Sequence, residues 1–586
     1  MEGEMESSSG SNAVELQGST ADQQPKTGGW VAATLILGIE LCERLSTMGI
    51  AVNLVTYLNE TMNLSSATSA NIVTNFLGTS FLLCLFGGFL ADTFLGRYRV
   101  IAIFAPVQTI GTAMLAISTQ VPQLRPPTCA SQSRNECQQA SSSQMVALYG
   151  SLYLIAIGTG GIKSSVSGFG SDQFDENNKR EKAQMTLFFS RFFFLISLGT
   201  LTAVTLLVYV QDRVSRSWGY GICSVSMFIA TLLFLMGTRR YRFKDSCGSP
   251  LIHILQVLVA ATKKRKLQLP SNSDELFEDI QDVSTRIPHT DQFRCLDKAA
   301  VISKETETCK NIASNPWNLS STTKVEEVKM MIRLLPIWAT TIMFWTTYAQ
   351  MITFSVEQAT TLRRKFGHFE IPAASLTVFF VAAILVSLAA YDRLIIPFCK
   401  RWTGLPGLTN LQRIGLGLFL ASLGMAAAAI AEAKRLSVAK FTAPNTTLPL
   451  SVYILIPQFL LIGSGEAFMY SGQLDFFITQ SPKAMKTMST GLFLTTLSMG
   501  FFFSSLIVSI VQKITTIGGG KGWVAEKINQ GRLDCFYALL ALLTFIDFWI
   551  YLVCAAWYKP QTTYEKNQEM VTDKVLVVST MEEVLV

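Results

Sequence analysis

Charged side chains are scarce in this sequence. Asp, Glu, Lys and Arg together make up 15% of its 586 residues, whereas hydrophobic residues make up 49%. Soluble proteins carry about 25% charged residues, so the composition excludes a soluble globular fold for most of the chain. It indicates an integral membrane protein.

The chain also lacks the residue patterns on which enzymes and metalloproteins depend. It has only three histidines, His253, His289 and His368, and its 11 cysteines form no C-x-x-C pair. The glycine-rich stretch 518–522 has neither the spacing nor the Ser or Thr of a phosphate-binding loop. We therefore expect no catalytic residue, no metal, no cofactor and no nucleic-acid partner, and an enzyme is the least expected class.

Apolar runs recur along the chain at close to the length of about 20 residues that a helix needs to cross a bilayer. They predict about twelve spanning helices. We place these at 30–58, 68–93, 98–119, 144–169, 186–210, 217–237, 328–357, 372–396, 410–432, 451–477, 489–513 and 534–557. No short apolar segment preceded by positive charge is found near the first residue, so we expect the first span to direct insertion without a cleaved signal peptide.

The predicted spans form two groups of six on either side of a long polar stretch. We therefore expect an all-α membrane protein with one bundle over 30–238, a second over 328–558 and a linker over 239–327. The tails, 1–29 and 559–586, flank an even number of spans and should lie on the same side as the linker. Clusters of Lys and Arg in the linker indicate that this side is cytoplasmic.

One segment of the linker is apolar but too short to cross the membrane. It covers 251–261 and is followed by the basic run 263–266. The pattern predicts a helix that lies on the cytoplasmic leaflet, and the alternative is a buried or irregular segment.

Two cysteines fall in a polar loop that this topology places outside. A disulfide between Cys129 and Cys137 is chemically allowed there, because disulfides persist in oxidising compartments. Most of the other cysteines lie inside spans, where cysteine acts as a small apolar residue.

Three charged residues interrupt the first apolar run. Glu40, Glu43 and Arg44 are spaced at i, i+3 and i+4, which places them on one face of a helix. An ionised group at the centre of a spanning helix costs at least about 2.5 to 3.5 kcal/mol, so such groups face a bundle interior or a wet cavity. The pattern predicts a proton-coupling cluster in which Arg44 neutralises a carboxylate. A static ion pair that holds helices together is the alternative.

Two further charges lie deep in predicted spans. Lys163 belongs to the fourth span and Glu466 to the tenth, and each requires a counter-charge or a wet cavity. We predict that they pair across the two bundles as part of a gate. The alternative for Lys163 is an extended side chain that reaches the membrane interface.

The connection between the second and third spans is short and charged. Its residues Asp92, Gly96 and Arg97 belong to a D-x-x-x-G-R sequence. We predict a turn that holds the neighbouring helices in one of two conformational states, and the alternative is an ordinary capped turn.

The sequence Glu40-Leu41-Cys42-Glu43-Arg44 resembles the E-x-x-E-R motif of proton-coupled oligopeptide transporters in the major facilitator superfamily. Lys163, Glu466 and the turn at 88–97 match that family. The linker with its lateral helix resembles the plant branch, the nitrate and peptide transporter family, and the stretches 26–30 and 168–175 are similar to that branch in particular. Its low-affinity nitrate transporter subgroup is the closest match, and the resemblance implies a major facilitator fold.

The chain departs from the pattern of peptide-carrying members. Those proteins follow E-x-x-E-R with tyrosines, whereas Leu-Ser-Thr-Met-Gly follows here at 45–49. Ser197 stands where the family usually carries Asn. Tyr348 occupies the position at which some nitrate-transporting relatives carry a histidine. A phenol can donate one hydrogen bond but cannot become cationic, so nitrate affinity should be lower and less sensitive to pH than with imidazolium. A packing aromatic is the alternative for Tyr348.

The resemblance implies a proton-coupled nitrate symporter that works by alternating access, with Arg44, Lys163, Thr47 and Tyr348 at the substrate. The alternatives are the same fold carrying a hormone, a specialised metabolite or a short peptide, and a receptor that senses nitrate. Nitrate, protons and the lipid bilayer are the expected partners, while a homodimer and a regulatory kinase are left open. The expected location is the plasma membrane, with the vacuolar membrane as the alternative.

Overall fold

The structure, a computed structural model, is almost entirely helical. It describes residues 27–127, 138–175, 178–244, 250–270, 276–278, 287–302, 316–402, 407–441, 447–482, 485–517, 522–525 and 527–559. Eleven helical segments in these ranges are long and apolar enough to cross a membrane. Helix Gly29–Glu60 has the length of a further span but carries three charges near its middle. The predicted all-α membrane fold is confirmed.

The α-helices are numbered in chain order. They are α1 Gly29–Glu60, α2 Ser66–Leu90, α3 Arg97–Gln120, α4 Ser142–Ser171, α5 Lys179–Thr202, α6 Val208–Arg213, α7 Arg216–Met236, α8 Pro250–Lys263, α9 Thr322–Ile352, α10 Phe354–Thr361, α11 Thr377–Ala390, α12 Ile396–Trp402, α13 Asn410–Ala439, α14 Ile456–Thr479, α15 Lys486–Thr516 and α16 Leu533–Trp557. Short π-helical turns, Ala91–Leu95, Ala203–Leu207 and Tyr391–Ile395, continue α2, α5 and α11.

Some spans consist of two helices. The first to fourth spans are α1 to α4, the fifth is α5 with α6, the sixth is α7, the seventh is α9 with α10, the eighth is α11 with α12, and the ninth to twelfth are α13 to α16. Helix α8 is the lateral helix of the linker. Within the described ranges, four short strands lie in loops on the side opposite the linker. Strand β1 Leu362–Arg363 pairs in parallel with β4 Leu448–Ser451, and β2 Lys365–Phe366 pairs antiparallel with β3 Phe369–Glu370.

Glycines of the fourth span allow it to approach its neighbours closely. A Cβ atom at Gly160 would lie 2.5 Å from the Cβ of Leu83 in the second span, and one at Gly161 would lie 2.2 Å from the Cγ of Phe104 in the third. Small residues permit such contacts between spanning helices. The glycines therefore fix the position of Lys163, which follows Gly161 by two residues.

The spans form two bundles, because the first six pack among themselves and the last six do the same. The main contact between the bundles joins the second span to the eleventh. On the side away from the linker this contact is close. The Ser498 hydroxyl donates to the carbonyl of Gly78 at 2.7 Å, and the Asn71 amide donates to Ser509 at 3.0 Å. The two bundles are therefore closed against each other on that side.

The linker packs against the start of the seventh span through a small apolar core. This core consists of Val257, Ala260, Ala261, Leu296, Ala299, Ala300, Val325 and Val328. Residues 294–300 form a 3-10 helix between α8 and the seventh span. A helix is present over Pro250–Lys263, where we expected one, and its position on the cytoplasmic leaflet stays a prediction. Cys129 and Cys137 lie outside the described residues, so their disulfide stays a prediction.

A buried ion-pair network fastens this part of the linker to the seventh span. The Lys329 ammonium lies 2.6 Å from Asp297 and 2.8 Å from Glu326, and His289 contacts Asp297 at 3.2 Å. His289, Asp297 and Glu326 have the donor types of a metal site. The Lys329 ammonium, however, already contacts both carboxylates, and Arg333 supplies a second positive charge 3.8 Å from Glu326. The cluster is therefore an ion-pair network that anchors the linker.

Candidate transport site

The structure brings Glu43 and Lys163 together inside the N-terminal bundle. Their Oε2 and Nζ atoms are 3.4 Å apart, and the Glu43 side chain is fully buried, whereas the Lys163 side chain is 11% exposed. Glu40, one turn earlier on the first span, is also buried. The predicted pairing of Lys163 with Glu466 is wrong for this structure, because the fourth span presents Lys163 to the first span. Glu43 is thus the counter-charge of Lys163.

Arg44 does not neutralise a carboxylate in this structure, contrary to the sequence-based expectation. Its Nε donates a hydrogen bond to the Thr200 hydroxyl at 3.1 Å, and among the described residues no carboxylate lies within ion-pair distance of it. Arg44 interacts electrostatically with Glu40 and, across the bundle interface, with Glu466. It is therefore a cation between the two bundles that is available to a further partner.

Thr47 supports Glu43. Its hydroxyl donates to Glu43 Oε1 at 2.7 Å and lies 3.2 Å from the Thr159 hydroxyl, while the Gln108 amide donates to it at 3.3 Å. With these partners and with only 3% exposure, Thr47 is a positioning residue for Glu43 in this structure and does not contact the cleft. Its predicted contact with substrate stays a prediction. Sequence reasoning missed Gln108 and Thr159, although both are polar residues inside apolar runs.

Replacing Thr47 with Val should slow transport. The variant has nearly the same size but loses the hydrogen bond that Thr47 donates to Glu43 Oε1, and hydrogen bonds to charged groups contribute about 1.5 to 3 kcal/mol. The Glu43 carboxylate would be held less firmly beside Lys163, and nitrate uptake should fall by about tenfold or more. Uptake of labelled nitrate by cells that express each variant tests this. Thr47→Ser keeps the donor and should transport normally; normal uptake by Thr47→Val would contradict the assignment of Thr47 as a positioning residue.

Glu466 and Tyr348 face the bundle interface from the C-terminal bundle. Oε2 of Glu466 is buried and has no hydrogen-bond partner in the part of the chain that the structure describes. The Tyr348 ring packs against Phe380 at 5.4 Å and Phe501 at 5.9 Å, so it is a packing aromatic as well as a candidate donor. Sequence reasoning missed Tyr470, which lies one turn after Glu466 and interacts electrostatically with Arg44.

A cleft leads from the linker side of the protein to Lys163. It is lined by Cys84, Leu85, Gly88, Phe89 and Asp92 of the second span, Lys163, Ser164 and Ser167 of the fourth, Pro250 and Leu251 of α8, and Met488, Thr490, Gly491 and Leu494 of the eleventh. The second and eleventh spans therefore diverge on this side while they touch on the other. The cleft opens toward the predicted cytoplasm.

Aromatic rings close the cleft beyond Lys163. The Lys163 ammonium lies 5.4 Å from the centre of the Phe81 ring, and Phe81 of the second span stacks on Phe501 of the eleventh with centroids 6.0 Å apart. The stack joins the two bundles and continues to Tyr348. Lys163 thus lies at the boundary between the open half and the closed half of the bundle interface.

The predicted turn residues come together at the linker side. Arg97 forms an ion pair of 2.7 Å with Asp172 at the end of the fourth span, and Asp92 interacts electrostatically with both. Gly96 has φ of +76°, a conformation that favours glycine. The turn therefore connects the second and third spans to the fourth.

The two stretches that resemble the plant branch meet at the same end of the bundle. The backbone N–H of Gly29 donates to the Gln173 carbonyl at 2.9 Å, and that of Gly28 donates to the Arg240 carbonyl at 2.7 Å. The Gln173 side chain exchanges two hydrogen bonds with the backbone of Arg242. These contacts tie the first, fourth and sixth spans together.

The two helical bundles, with buried charges at the end of a one-sided cleft, define a membrane transporter of the major facilitator type. The sequence pattern of the POT family matches residues 98–524, and the chain belongs to this family. It is 64% identical over 552 residues to Protein NRT1/ PTR FAMILY 6.2 of Arabidopsis thaliana, covering 94% of this chain and 95% of the relative. It is 54% identical over 558 residues to Protein NRT1/ PTR FAMILY 6.3 of the same plant, covering 93% and 94%.

Solved structures share the fold. An auto inhibited POT family peptide transporter has a TM-score of 0.68 at 20% identity, covering 90% of this chain and 98% of that one. The POT family transporter PepTSo has a TM-score of 0.64 at 21% identity, covering 90% and 99%. The predicted family and fold are confirmed.

Proposed function

We propose that the protein is a proton-coupled symporter of nitrate that works by alternating access in the plasma membrane. The contact between Glu43 and Lys163 at the end of the cleft is the observation that carries this proposal. While Glu43 is ionised, it neutralises Lys163. Once Glu43 is protonated, the charge of Lys163 is available to an anion. Proton binding and anion binding then strengthen each other, as linkage requires.

The arrangement of the bundles supports alternating access. Lys163 and Glu43 belong to one bundle, Glu466 and Tyr348 belong to the other, and Arg44 interacts electrostatically across the interface. An anion bound between them would be reached from either side as the bundles rock around the site. The outward-open state requires the Phe81–Phe501 stack and the contacts of Gly78 and Asn71 to separate.

The choice of nitrate rests on the charge of the site and on the sequence after the E-x-x-E-R motif. Two cations, Arg44 and Lys163, suit a small anion once a carboxylate is protonated. Residues 45–49 lack the tyrosines of peptide-carrying members. Relatives that share the NRT1/PTR family name cover almost the whole chain.

A larger organic solute is the second candidate cargo. Trp345 and Tyr470, whose ring centroids are 6.4 Å apart, form with Tyr348 an aromatic cluster in the C-terminal bundle. Tyr470 is the one ring of the three that is not buried, and an aromatic ring suits a partly apolar molecule. Competition between labelled nitrate and candidate solutes distinguishes the two, because an organic cargo would inhibit nitrate uptake or replace it.

Nitrate should evoke an inward current at acidic external pH. Moving a monovalent anion into a negative interior costs about 2.3 kcal/mol per 100 mV, so uphill uptake requires more than one proton per nitrate. The net charge that enters is then positive. Voltage-clamped cells that express the protein test this, with chloride in place of nitrate as the control. Uptake without current, or current of the opposite sign, would contradict symport with this stoichiometry.

A further inference from the structure

Helix α8 has one buried face and one exposed face. Val257, Ala260 and Ala261 belong to the core that joins the linker to the seventh span. On the other face, Leu255 is 52% exposed and Leu258 is 36% exposed. The two leucines are three residues apart and therefore adjacent on the helix surface. Two large apolar side chains are thus presented away from the protein at its cytoplasmic end.

The basic run that ends α8 is divided between the two faces. Lys264 is buried, and its ammonium donates to the carbonyls of Ala299 at 3.2 Å and Val301 at 2.6 Å. Burial lowers the pKa of Lys264 to about 8. Lys264 is therefore an anchor between α8 and the 3-10 helix.

The other three residues of the run, Lys263, Arg265 and Lys266, are exposed. Lys263 donates to the Asn318 side chain at 2.8 Å, which is a neutral partner. Across the described ranges, no carboxylate forms an ion pair with any of the three. Trp317, the residue before Asn318, is 40% exposed. A cluster of uncompensated cations beside exposed Leu and Trp side chains is typical of segments that contact the membrane interface.

We propose that the exposed face of α8 and its three outward cations bind anionic lipid headgroups of the cytoplasmic leaflet. The cations supply charge complementarity to phosphate and carboxylate groups, while Leu255 and Leu258 enter the acyl boundary. The site is independent of the transport site. It nevertheless lies close to the cleft, because Pro250 and Leu251 at the other end of α8 line the cleft mouth. Bound lipid would hold α8 beside that mouth while the bundles move.

Native mass spectrometry of the full-length purified protein, with phosphatidylserine added to a phosphatidylcholine background, tests the proposal. The variant Lys263→Gln/Arg265→Gln/Lys266→Gln should retain at least about tenfold less phosphatidylserine than the unmodified protein. The control Arg239→Gln/Arg240→Gln/Lys244→Gln removes the same charge from exposed residues after the sixth span and should retain it normally. The proposal would be overturned if both triple variants retained phosphatidylserine equally well, or if both lost it to the same extent.

A second variant separates a lipid surface from a surface for soluble anions. Leu255→Ser/Leu258→Ser keeps every cation and changes only exposed side chains, so the fold should be unaffected. It should bind phosphatidylserine more weakly, and soluble glycerophosphoserine should not compete with the lipid. Unchanged binding in this variant, or full competition by the soluble headgroup, would show that the surface does not bind lipid and would overturn the proposal.

Discussion

Glu43→Gln should abolish proton-driven accumulation of nitrate while preserving exchange of nitrate for nitrate. Glutamine has the size of a protonated glutamate but cannot release a proton. Lys163, 3.4 Å from Glu43, would then be available to an anion at every pH. A difference of about 2 pH units supplies about 2.7 kcal/mol per coupled proton, which corresponds to about 100-fold accumulation. The Glu43→Gln variant should lose this accumulation of about 100-fold.

Proteoliposomes separate the two activities. Those loaded with unlabelled nitrate measure exchange, and those with an acid-outside pH gradient measure accumulation. The control is Glu60→Gln, which changes a half-exposed glutamate on the same span that pairs with Arg216 at the surface. Such pairs contribute little, so its uptake should be normal. Lys163→Gln should lose both exchange and accumulation, because it removes the cation itself. A Glu43→Gln protein that still accumulates nitrate with the pH gradient would exclude Glu43 as the coupling group.

The presence of a charged site could be predicted from the sequence, because an ionised residue inside an apolar run needs a special environment. Glu40, Glu43, Arg44, Lys163 and Glu466 all stood out for this reason, and all lie at or near the bundle interface. Periodicity gives the face of a helix on which a residue lies. It does not identify the neighbouring helix to which that face turns.

The partner of Lys163 could not be predicted for this reason. Whether Lys163 meets Glu43 or Glu466 depends on how closely the fourth span approaches its neighbours, which Gly160 and Gly161 determine through contacts distant in sequence. It also depends on the transport state, because a contact between bundles exists in only some states. The contact of Thr47 with Glu43 could have been predicted, since Thr47 follows Glu43 by four residues on the same face, but we expected Thr47 at the substrate.

The linker network had no sequence signal, because polar residues are ordinary in a polar segment. Only the structure shows that Lys329 is completely buried together with Asp297 and Glu326. Lys329 lies near the start of the seventh span, four residues before Arg333, so the two cations share one face of the helix. A charged helical face of this kind is usually exposed to solvent. Tertiary contact with residues 287–302 turns that face into a buried interface.

Lys329→Met should destabilise the protein strongly through this network. The substitution leaves Asp297 and Glu326 buried without the ammonium that lies within 2.8 Å of each. Removing one partner of a buried ion pair costs about 3 to 5 kcal/mol, because the remaining charge is uncompensated. Thermal unfolding of the detergent-purified protein should therefore begin at a clearly lower temperature. Proteolysis within the linker should also be faster, since residues 287–302 lose their anchor.

Two controls distinguish a lost ion pair from lost packing. Lys329→Met/Asp297→Asn removes one charge of each sign and leaves Glu326 with Arg333, 3.8 Å away, so it should recover much of the stability. Arg294→Met removes an exposed ion pair with Asp291 and should have no measurable effect, because both side chains are more than half exposed. If the double variant were as unstable as Lys329→Met, charge compensation would not be the reason that the linker stays attached, and the apolar core around Val257 and Leu296 would have to account for it.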